Sequence, residues 1–117
     1  MSSNPLEQPE RACLQSLLDE TCRFMADFVV NHPLAPELWR VQVATKSIDS
    51  MRQKFDGRDL TVDDARHVVV VCRGIGRGFA DGPIEFSEAI EGDPFLRAFM
   101  DLSNWSIKIV AARGETA

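Results

Sequence analysis

Cysteine is sparse in this chain: Cys13, Cys22 and Cys72 are the 3 among 117 residues, with no C-x-x-C pair. An odd, scattered set excludes a disulfide framework and reads as free thiols in a reducing cytoplasm. Histidine is scarcer still. His32 and His67 lack E-x-x-H or H-x-x-x-H spacing and have no cysteine pair beside them, so no metal site is expected. Long apolar runs are missing as well. The longest, Val68 to Cys72, falls far short of the roughly 20 residues that cross a bilayer. The first ten residues, MSSNPLEQPE, have neither the basic start nor the apolar core of a signal peptide. Positive charge is also short, with 13 Lys and Arg against 18 Asp and Glu and a net charge of −5. That balance excludes general affinity for nucleic acid or anionic membranes. The expectation is a cytoplasmic, soluble protein.

Catalytic signatures are absent too. The stretch VVVVCRGIGRG, Val68 to Gly78, looks at first like a strand running into a phosphate loop. Its glycines, Gly74, Gly76 and Gly78, give G-x-G-x-G rather than G-x-G-x-x-G, and no Lys-Ser/Thr follows. No serine sits in a G-x-S-x-G elbow. The carboxylate pairs Asp63/Asp64 and Asp19/Glu20 read as helix-surface charge. No catalytic residue, cofactor or metal is expected, and the chain is read as a non-enzyme.

What is present is helix. A chain of this length with 44% apolar residues supports one ordinary globular core. Pro9 and Glu10 suit the first turn of a helix to about Val30, with Leu14, Leu18, Met25 and Phe28 on its apolar face. Pro36 and Glu37 start a second, which runs to Phe55 before Asp56-Gly57. Its core face carries Val41, Ala44, Ile48 and Met51, whereas Trp39 and Val43 lie opposite, among Lys46, Ser50 and Lys54. Thr61 and Asp64 form a short capping box for a third helix. The valine run in it would suit a strand equally well, but the cap and the helical period favour helix. A short helix follows near Ile84 to Glu91.

The last helix, DPFLRAFMDLSNWSIKIVAAR, is capped by Asp93 and Pro94 and stopped by Gly114. It carries two apolar stripes. One is Phe95, Leu96, Phe99, Met100, Ile107 and Val110; the other is Ala98, Leu102, Trp105, Ile109 and Ala112. A helix of this kind is either central or shared with a second chain. The architecture implied is all-α, a four-helix-type bundle with one additional short helix. One helical domain would span 9–114, between flexible ends at 1–8 and 115–117.

Three features exceed the needs of such a core. Trp39 and Val43 on the second helix, with Leu102, Trp105 and Ile109 on the last, are candidate protein contacts, since tryptophan is a favoured interface anchor. Arg66, Arg73 and Arg77 recur at i, i+7 and i+11 and form a ridge able to grip an anion or an acidic partner. His67, Val71, Gly74 and Gly78 make a line of mostly small residues that permits close helix approach, unless the glycines instead form a hinge.

In size, acidity, helix count and lack of a catalytic signature, the whole chain resembles the small helical bacterial antiactivators that sequester transcription factors, including quorum-sensing receptors. The surplus stripes imply a homodimer that captures a protein partner by occlusion; the resemblance makes that partner a transcriptional regulator, with no direct contact to nucleic acid. Helical secretion chaperones share the outline. A ligand-binding bundle or small enzyme using the arginine ridge is the alternative of another class.

Overall fold

The computed structural model describes residues 4–113, and three of its long helices begin where the sequence supplies caps. α1 (Gln8–Asn31) opens on a capping box in which the Glu7 N–H donates to Glu10 Oε1 at 2.8 Å. α3 (Val62–Ala80) opens on the expected Thr61/Asp64 box, the Thr61 N–H donating to Asp64 Oδ2 at 2.9 Å. α5 (Pro94–Arg113) is capped by Asp93, whose Oδ1 accepts from the Phe95 N–H at 3.0 Å. The expected stop at Gly114 and the tail 115–117 lie outside the described residues. α2 (Leu38–Phe55) starts later than Pro36-Glu37 suggested. Glu37 sits at φ 53°, in the left-handed region, so the helix cannot run through it. α4 (Ile84–Ile90) is the short helix. Val68–Val71 and Gly74–Gly78 both lie within unbroken α3, so the glycines form no hinge.

The four long helices close a ring: α1 packs on α2 and α5, α5 also packs on α3, and α3 lies more lightly against α2. Neighbours run antiparallel, as the end-to-start pairings show. Phe28 late in α1 meets Phe95 early in α5 at 5.1 Å, and Phe79 late in α3 meets Phe99 at 5.8 Å. Phe86 from α4 joins this aromatic cluster, 5.7 Å from Phe79. Each buried phenylalanine contributes about 1.5–3 kcal/mol of transfer free energy, so this end of the bundle is firmly closed. The architecture is the expected all-α bundle with one short extra helix.

A ring of four also explains the two stripes of α5. Phe95 and Phe99 from one stripe, with Ala98 and Leu102 from the other, are buried, and Trp105 and Ile109 pack half-buried against the same core. Leu102 is fully enclosed and is therefore a core residue rather than a candidate contact. The reason is geometric: α5 has two helical neighbours in the chain, α1 and α3, and needs an apolar stripe for each. Its surplus is instead Met100 and Ile107, seven residues apart, which stay exposed.

The beginning of the chain also departs from expectation. Of the stretch 1–8 expected to be flexible, Asn4 to Leu6 is docked. The Leu6 N–H donates to the Leu60 carbonyl at 2.9 Å, the Val62 N–H donates to the Asn4 carbonyl at 2.8 Å, and the Leu6 side chain is buried. A single apolar side chain with two backbone partners is enough to order the segment. Arg113 at the end of α5 clamps it further, pairing with Glu10 and donating to the Pro5 carbonyl.

Candidate functional site

The light seam between α2 and α3 is open along its outer side. Because the helices are consecutive and antiparallel, the start of α2 lies beside the end of α3. This brings Trp39 and Val43 opposite Gly74 and Gly78 in a single apolar groove of about 320 Å³. Val70 lines it as well. Trp39, Val43 and Val70 are 52%, 56% and 65% exposed, although all three are large apolar side chains. Toward the other end of the two helices a second hollow adjoins it, sharing Ser47 and Val71 and lined also by Lys46, Lys54 and His67.

Arg40 shapes the closed end. Its Nη1 donates to the Gly78 carbonyl at 2.7 Å and its Nε donates to Glu37 Oε1 at 3.1 Å. The guanidinium also stands 4.5 Å from the centre of the Trp39 ring. One half-buried cation thus ties α2 to α3 and supports the indole at the groove mouth.

The glycines carry a sharper message. A Cβ built on Gly74 or Gly78 meets nothing within 4 Å. Glycine costs a helix interior about 1 kcal/mol relative to alanine. No neighbour within the described residues uses the space that cost leaves free. Gly82, in the turn after α3, is the opposite case: a Cβ there would stand 2.8 Å from Phe86 Cδ2 and 3.2 Å from Arg40 Nε. Packing inside the chain accounts for Gly82 and does not account for Gly74, Gly76 or Gly78; of these three, Gly74 and Gly78 line the groove.

The other candidates separate. Trp105 and Ile109 stand on α5, away from this groove, and rest on the core. Arg66, Arg73 and Arg77 share a shoulder of α3 and do not line the groove. Arg66 pairs with Asp63, while Arg73 and Arg77 are exposed. The thiols offer little chemistry. Burial pushes Cys72 up to about 12, and burial, followed by the nearby Asp49 carboxylate, raises Cys22. Among the described residues no group of three or more His, Cys, Asp or Glu could hold a metal, and no helix is long and apolar enough to cross a membrane.

Trp39, Val43 and the glycine line are each legible in the sequence, whereas their juxtaposition and the part of Val70 are not. The short connection is the signal that points to it. Only six residues separate α2 from α3, so the two outward faces had to meet side by side. No protein-family model, curated protein or solved structure matches this chain.

Proposed function

We propose that this protein acts by contact rather than catalysis, binding a protein partner in the α2/α3 groove and occluding the surface it covers. The observation that carries this reading is the pairing of exposed Trp39, Val43 and Val70 with Gly74 and Gly78, whose cost the fold itself does not use. Tryptophan supplies a large anchor, and glycine lets a second backbone approach closely. The antiactivator resemblance makes a transcriptional regulator the first partner to test. The exposed Met100 and Ile107 on the outer face of α5 provide a separate surface for pairing with a second copy, which would leave the groove free.

The test is affinity capture from the native cell lysate with three baits: wild type, Val43→Glu with Val70→Glu, and Met100→Glu with Ile107→Glu. All substituted sites are exposed, and helicity is checked for each bait. The expected result is one regulator captured stoichiometrically by wild type and lost from the groove variant. The α5 variant should keep the partner and sediment as a monomer where wild type is a dimer. Equal capture by all three baits would sink the groove as the binding site.

A further inference from the structure

Resting on that reading, we infer that the partner segment seated in the α2/α3 groove is an acidic amphipathic helix. Charge is the first argument. In a chain with 18 acidic residues against 13 basic, no acidic residue lines either part of the groove, while Arg40, Lys46 and Lys54 do. Lys46 and Lys54 have no ion pair among the described residues. Six arginines each hold a carboxylate of their own chain, and of the described cations that hold none only Lys46 and Lys54 line the groove. An acid-free channel with two uncommitted lysines spread along one half complements a segment whose carboxylates lie along the matching half.

Shape and backbone chemistry select a helix. From Trp39 to Lys54 the wall of the groove is sixteen residues of α2, about 22 Å from first to last at 1.5 Å per step, the length of a four-turn helix. Gly74 and Gly78 are one turn apart on the facing wall, a spacing that admits a helix backbone closely along its axis. An extended strand would find no partners for its N–H and C=O groups here, because the main chains of α2 and α3 are satisfied within their own helices. A second copy binding groove to groove would set one acid-free channel against another and leave Lys46 and Lys54 uncompensated. The apolar face of the bound helix fills the Trp39–Gly78 half, and its acidic residues reach Lys46 and Lys54.

The experiment uses the full chain and a phage-displayed library of helical peptides of about fifteen residues, with apolar residues fixed at heptad a and d positions and all others randomised. Recovered peptides should be enriched in Asp and Glu. They should bind about tenfold more weakly to Lys46→Glu/Lys54→Glu, and still more weakly to Gly74→Leu, with helicity unchanged in both. Selection on the lysine-reversed variant should enrich Lys and Arg instead. Neutral or basic peptides on wild type, undiminished binding to Gly74→Leu, or no recovered peptides would each overturn the inference. So would self-association of the chain alone that Gly74→Leu abolishes. The failures are separable. If the groove variants lose the native partner but the library yields no acidic helix, occlusion through the groove stands and this inference falls. If capture survives in the groove variants, both fall.

Discussion

The two flanks of α3 differ in a way that organises the molecule. Toward α5, the helix is sealed by Phe79 against Phe95 and Phe99, with Val68 and Cys72 in the same closed core. Toward α2, it presents Val70, Gly74 and Gly78 to an open groove, held at one end by Arg40. Both flanks are apolar, and both belong to one uninterrupted helix. The difference is side-chain volume. Where phenylalanine fills the gap between helices the seam closes, and where glycine leaves it empty the seam remains available to something else. Apolar character alone does not distinguish a core from a docking surface; unfilled space beside exposed large side chains does.

That contrast can be broken most strongly on the sealed side. Leu102→Ala is expected to cost about 2–5 kcal/mol in denaturant unfolding, since it empties a fully enclosed site. Val43→Ala and Val70→Ala, on the open side, should stay within about 0.5 kcal/mol of wild type. If the valines cost as much as Leu102, the groove would be part of the folding core.

The glycines sharpen the comparison at smaller magnitude. Gly82→Ala must push against Phe86 and Arg40 and should destabilise by about 1–3 kcal/mol. Gly74→Ala and Gly78→Ala have open space and should each stabilise by up to about 1 kcal/mol. Opposite signs for the same chemical change, read from melting curves, would separate a glycine required by packing inside the chain from one that such packing leaves free.

The smallest effect lies at the chain ends, far from the groove. Burial of the Glu10 carboxyl opposes its ionisation, but the Glu7 N–H and Arg113 outweigh that and hold it below its ordinary 4.5. A depressed carboxylate adds stability above its unfolded pKa and loses it as pH falls through the folded value. Wild type should therefore weaken as pH drops below 4.5, and Glu10→Gln should flatten that decline while leaving groove binding unchanged. Asp49, held low first by its hydrogen bond from Arg52, titrates in the same direction and keeps the slope from vanishing.

Much of this fold was legible in the sequence because capping and periodicity are local. Thr61 with Asp64, and Asp93 with Pro94, mark helix starts without any knowledge of neighbours. The two stripes of α5 were legible as well, but their meaning depended on how many helices would surround them. That is why Leu102 read as a surface candidate and proved to be core. Ordering of Asn4 to Leu6 depended on a distant partner, the Leu60–Val62 backbone, which no local pattern reveals. At the groove, the residue types were visible and the juxtaposition was not. Trp39 and Gly78 are far apart in sequence and become neighbours only once α2 and α3 run antiparallel.

The decisive measurement is a paired one on Gly74→Ala/Gly78→Ala: its melting temperature, and its capture of the native partner beside wild type. The expected result is a protein that melts higher and captures less, because two methyl groups that the fold accommodates freely stand where the partner's backbone must come close. A protein that melts higher and captures its partner undiminished would contradict the assignment of this groove to a partner.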